Sequence, residues 1–90
     1  MEPEMKFAEW KEEGLRAVRK IVRGAECVLR LSGGGPNIEA LKKAQERLEA
    51  VTTREAWFRE VKEFNVALKR VDNELQYRFG MSYEAAEQYG

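Results

Sequence analysis

Between residues 52 and 80 the chain carries a nearly unbroken heptad stripe. Trp57, Val61, Phe64, Leu68, Val71 and Leu75 recur at alternating spacings of four and three, and Phe79 extends the line. A helix with that spacing keeps one apolar seam on one side, so it must pack against other helices. The stripe predicts an all-α fold before any other residue is considered.

The rest of the chain supplies partners for it. A first helix is expected over residues 3–31, with Pro3 in its first turn and a wide core face of Phe7, Gly14, Leu15, Val18, Ile21, Val22, Ala25, Val28 and Leu29. Ser32-Gly33-Gly34-Gly35-Pro36 cannot continue a helix. Asn37 then reads as the N-cap of a second helix, whose face is Ile38, Leu41, Ala44, Leu48 and Val51. Thr52 and Glu55 have the spacing of a capping box, which places a tight turn at residues 51–53. The alternative is one kinked helix over residues 37–79, since neither Gly nor Pro interrupts that region. Gly80 is suited to end the third helix in the left-handed conformation, and Ser82 to cap a short fourth one carrying Tyr83, Ala86 and Tyr89. Acid-before-base pairs at i,i+4 (Glu12–Arg16, Glu39–Lys43, Glu55–Arg59, Glu74–Arg78) fit exposed helix faces. The expectation is a three-helix bundle, two helices long and one short, with a short C-terminal fourth helix, as a single domain over residues 1–90.

Composition then removes whole classes of function. There is no histidine. That excludes Ser-His-Asp and Cys-His nucleophile systems, imidazole-ligated zinc, and the Glu-x-x-His pairs of di-metal bundles. One cysteine, Cys27, excludes an internal disulfide framework. Sixteen basic and sixteen acidic residues cancel, so no global field steers the chain to nucleic acid or an anionic membrane. Hydrophobic residues are 43% of the chain, yet no apolar run approaches a bilayer span. The start, Met1-Glu2-Pro3-Glu4, lacks the basic flank and apolar run of a signal peptide, and a soluble, cytoplasmic protein is expected.

Several residues invite a functional reading. Cys27 lies opposite the apolar face of the first helix, with Arg23 one turn before and Arg30 one turn after, an environment that favours a thiolate and a reactive thiol. No base accompanies it, which favours an incidental surface cysteine. Arg16, Arg19, Lys20, Arg23 and Arg30 make one face of the same helix basic, a surface for phosphates or an acidic partner. No aromatic residues interleave with them, so a solvated face is the plainer reading. The Glu-x-x-Glu pairs (9/12, 46/49, 60/63, 84/87) resemble carboxylate metal ligands, but the complementary Glu-x-x-Asp is missing at Asp72, which has Lys69 three residues before it. No metal or cofactor is expected from them. Gly14, on the core face, marks either close approach to Trp57 or Phe64, or the edge of a small-molecule pocket flanked by Asn65 and Asp72.

Length arithmetic frames the functional expectation. At about 1.5 Å per residue the first and third helices reach about 40 Å and the second about 20 Å. The short fourth helix can cover some of the seam from Trp57 to Phe79; for the remainder, self-association as a twofold dimer, or a protein partner, is the simplest remedy, and the alternative is a first helix that bends at Gly14 or Gly24 and closes the monomer. The leading expectation is a non-enzymatic interaction or oligomerisation module using that seam. A second is an engineered or de novo bundle with a small-molecule pocket near Gly14, suggested by strong capping and the Ser-Gly-Gly-Gly loop. A third is nucleic-acid or acidic-partner binding through the basic face.

Overall fold

A computed structural model describes residues 6–90 of the chain. Pro3, the expected first-turn residue, lies outside the described residues. The element order is α1 (Phe7–Leu29), a 3-10 turn (Arg30–Ser32), α2 (Pro36–Ala50), α3 (Arg54–Phe79), α4 (Tyr83–Ala86) and a closing 3-10 turn (Glu87–Tyr89). The protein is all-α. Its three main helices lie side by side in an elongated bundle of 49 × 22 × 15 Å.

Each break has a local cause. After α1 the chain tightens into the 3-10 turn, and Gly33 takes φ 90°. The Gly34 N–H reaches back to the Leu29 carbonyl at 2.9 Å and the Gly33 N–H to that of Arg30 at 3.1 Å, so carbonyls at the end of α1 are satisfied. α2 begins two residues earlier than its expected cap allows. Pro36 sits in its first turn and Gly35, at φ 136°, precedes it. Proline's fixed φ suits a first helical position, and its missing N–H is no loss there. Asn37 is therefore inside the helix, where its amide donates to Glu74 Oε1 of α3 at 3.1 Å.

The 51–53 turn is present, which excludes the single kinked helix. Val51 is extended (φ −68°, ψ 145°), and the Lys11 ammonium of α1 donates to the carbonyls of Glu49 (2.5 Å) and Val51 (2.9 Å). A lysine from a neighbouring helix thus serves carbonyls that the end of α2 leaves open. The cap of α3 is Thr53 rather than Thr52: the Thr53 hydroxyl accepts from the Ala56 N–H at 3.1 Å. The Thr52–Glu55 capping box is displaced by its neighbour, one residue on. Gly80 ends α3 at φ 64°, and Ser82 caps α4 by accepting from the Ala85 N–H at 3.2 Å.

One continuous core joins the helices. Leu15, Val18, Val22, Ala25, Val28 and Leu29 of α1 meet Ile38, Leu41, Ala44 and Leu48 of α2, and Trp57, Phe64, Ala67, Leu68, Val71 and Leu75 of α3. The second-helix face is buried as expected. Phe7 and Ile21 are only partly buried and pack against the edge of this core. Fully burying a side chain of this size contributes about 1.5–3 kcal/mol, so the interlocked aliphatic rows dominate the stability. No helix among the described residues is long and apolar enough to cross a membrane.

Candidate functional site

The seam of α3 is spent inside the chain. Trp57, Phe64, Leu68, Val71 and Leu75 are buried, while Val61 and Phe79 pack partly buried against the core. The long uncovered seam expected from helix lengths is therefore not what the structure shows. The cover missing from the length arithmetic comes from α4 and the closing turn, which fold back onto α1. A Cβ built on Gly24 would lie 2.5 Å from the Ala86 carbonyl oxygen and 2.5 Å from Glu87 Cα. Backbone meets backbone there, and only glycine on α1 permits it.

At the start of α3 the cover comes from Trp10, a residue that the sequence reading leaves out. Its ring meets Trp57 edge-on at 5.6 Å and Phe58 at 5.7 Å, with Phe7 at 5.9 Å and the Arg54 guanidinium 5.2 Å above it. Such aromatic contacts add about 0.5–1.5 kcal/mol each beyond their buried area. The signal for Trp10 is present in the sequence: it stands three residues after Phe7 and four before Gly14, on the same stripe.

Gly14 resolves in favour of close packing. A Cβ at this position would sit 2.5 Å from Trp57 Cζ2 and 2.8 Å from Cη2. Asn65 and Asp72 border a shallow groove with Leu68, Lys69, Asn73 and Tyr83, and Gly14 is not part of its lining. The three residues do not converge on a pocket. The Asp72 carboxylate is already engaged, accepting from the Tyr83 N–H at 2.9 Å and from Gln76 Nε2 at 3.0 Å. Its work is to fasten the start of α4.

The basic face of α1 is broken up by acid. Arg19 is held by Glu12 at 2.6 Å and by Glu49 of α2 at 2.9 Å. These two carboxylates raise the guanidinium's pKa, Glu12 first, and Arg19 in turn lowers that of the Glu49 carboxyl. Arg30 approaches Glu26 at 3.8 Å, and Glu26 also takes Lys42 of α2 at 2.6 Å, which raises the pKa of that lysine. Lys20 and Arg23 border a depression shared with Glu84 and Glu87, and Arg16 is exposed. The surface that results is mixed in sign and lacks the continuous positive stripe that phosphate backbones reward. Of the expected i,i+4 pairs Glu74–Arg78 forms at 3.0 Å, whereas Glu12 turns to Arg19 and Glu39 to Lys42. Among the described residues no three Asp, Glu or Cys side chains gather as a metal site.

Cys27 is exposed, as its position opposite the core face implies. What surrounds it is apolar. Cys27, Val28 and Leu31 from the end of α1 and its 3-10 turn, Phe79 and Met81 from the end of α3, and Tyr89 from the closing turn line one groove. Leu31 is 80% exposed and Tyr89 60% exposed. This end of the bundle is where the seam runs out. Leu31 precedes the three-glycine loop and Met81 follows Gly80, so both helix breaks leave an apolar side chain at the rim.

No family model, no curated protein and no solved structure matches this chain.

Proposed function

We propose that this protein is a non-enzymatic self-association module, and that its contact surface is the apolar groove at the far end of the α3 seam. The observation that carries this reading is the exposure of Leu31 beside Cys27, Phe79, Met81 and Tyr89. Single exposed apolar residues are ordinary on a protein surface, but a contiguous group fed by three chain segments is a surface suited to burial. Pairing two such ends about a twofold axis covers each groove with the other, the simplest closed assembly for identical chains. A formal net charge of zero opposes this approach with no long-range repulsion. The contact lies at the end of the seam because its middle is occupied by α1, α2 and Trp10.

Sedimentation equilibrium of the full chain over a range from low to high micromolar tests this directly. The expected result is a rise in mean mass from one chain toward two. A mass that stays at one chain throughout removes the proposal.

A further inference from the structure

We infer that the outward face of α3 is a docking surface for a second protein, and that the segment it takes is an acidic amphipathic helix.

The face follows from the same period that builds the core. Arg59, Lys62, Val66, Lys69, Arg70 and Tyr77 succeed one another at helical spacings, on the side of α3 opposite Phe64, Leu68, Val71 and Leu75. All six are exposed. Four of them are cations, and among the described residues none of the four enters an ion pair. The carboxylates on the flanks of α3 are engaged elsewhere. Glu60 holds Arg47 of α2 at 3.3 Å, and Glu74 holds Arg78 at 3.0 Å and the Asn37 amide at 3.1 Å. Asp72 accepts from the Tyr83 N–H and from Gln76. Only Glu63 remains on this side between Arg59 and Tyr77, one acid against four cations. The formal net charge of the chain is zero, so the positive excess is local and is balanced by acid on other faces. Charges without an intramolecular counter-charge favour a partner that supplies one.

Two observations favour a helix over a nucleic acid. Val66, 52% exposed, stands between the cation pairs Arg59/Lys62 and Lys69/Arg70, and Tyr77 follows three turns on, about 16 Å away. The aliphatic stems of the flanking lysines and arginines widen this apolar line. A second helix with apolar residues at heptad spacing covers Val66 and Tyr77 along one seam, and carboxylates beside its seam meet the cations. A phosphate backbone gives Val66 no apolar counterpart, and Glu63 on the same side opposes its charge. The face shares no residue with the apolar groove at the end of the bundle, so each can be occupied without the other.

The test uses the isotope-labelled full chain and a synthetic three-heptad peptide with Leu at a and d and Glu at e and g. Amide chemical shifts locate the contact, and anisotropy of the dye-labelled peptide gives the affinity at physiological ionic strength. Shifts are expected between residues 59 and 77 and not at Cys27, Leu31 or Met81. Arg59→Glu combined with Arg70→Glu should weaken binding by at least about tenfold, because attraction becomes repulsion at two positions. Arg16→Glu combined with Lys43→Glu makes the same charge change at exposed cations of α1 and α2, beyond the screening length of the contact, and should weaken it by less than about threefold. Both variants change only exposed side chains and should melt as the wild type does. A shuffled peptide of the same composition should bind at least about tenfold more weakly, since it loses the seam that covers Val66 and Tyr77. Absence of shifts over residues 59–77, equal binding of the shuffled peptide, or equal losses in the two double variants would overturn the inference. A short duplex DNA that displaces the peptide from these amides would overturn it too, by assigning the face to nucleic acid.

Discussion

The packing of Gly14 against Trp57 makes a prediction in which two opposing magnitudes can be separated. Replacing a helical glycine by alanine ordinarily stabilises by about 1 kcal/mol, because the backbone loses less freedom on folding. Here the added methyl would meet Trp57 Cζ2 at 2.5 Å and Cη2 at 2.8 Å, in a ring that is itself held by Trp10. Overpacking of that kind costs about 1–3 kcal/mol. Gly14→Ala should therefore destabilise the chain by about 0–2 kcal/mol in place of the usual gain. Phenylalanine lacks both clashing atoms, so in a Trp57→Phe background the same substitution should stabilise by about 1 kcal/mol. The cycle then yields a coupling of about 1–3 kcal/mol. Urea unfolding followed by far-ultraviolet circular dichroism resolves this, since 1 kcal/mol moves the midpoint by about 0.3–1 M. Equal stabilisation by Gly14→Ala in both backgrounds would refute the close-packing account.

Two further predictions concern caps and charge. Thr53→Ala should cost about 0.5–2 kcal/mol, whereas Thr52→Ala, which removes no capping bond, should stay within about 0.5 kcal/mol; a reversed order in thermal or urea melts would return the cap to Thr52. The Arg19–Glu49 pair sets a pH dependence whose sign is fixed: the folded-state pKa of Glu49 is lowered, chiefly by its hydrogen bond from Arg19. Its contribution is present above the ordinary glutamate range and is lost as pH falls through the lower, folded value. The effect is small because the Glu49 side chain is 38% exposed and the pair is screened by solvent. Stability of the wild type relative to Glu49→Gln should accordingly shrink on acidification below that range, and at neutral pH it should shrink in about 1 M salt, where screening reaches about 3 Å. A difference that is flat in both pH and salt would count against the pair.

Much of the bundle is legible in the sequence because its causes are local. The alternation of fours and threes in α3, the face of α2 from Ile38 to Leu48, the left-handed Gly80 and the Ser82 cap each depend on neighbours within one or two turns. The cap of α3 slips by one residue because Thr52 and Thr53 stand side by side, and only the direction in which the chain leaves Val51 chooses between them. The cover of the seam is harder to read. It depends on α4 returning to α1 over a span of about sixty residues, a long-range contact that the entropy of loop closure hardly marks in the sequence. Its one trace is Gly24, a glycine inside a helix. The apolar groove has the same origin, since Cys27, Leu31, Phe79, Met81 and Tyr89 are scattered along the chain and meet only when two helix ends and the closing turn converge.

We propose that this end of the bundle, and no other exposed apolar position, is where the protein meets a second copy. Tyr77 offers the control, because it is 92% exposed on α3 yet is not among the residues lining the groove. Sedimentation equilibrium of Leu31→Glu and Tyr77→Glu beside the wild type decides the matter. The expected outcome is a dimerising wild type, a Tyr77→Glu protein that dimerises equally well, and a Leu31→Glu protein that remains a single chain. Dimerisation that survives at Leu31→Glu but is lost at Tyr77→Glu would contradict it.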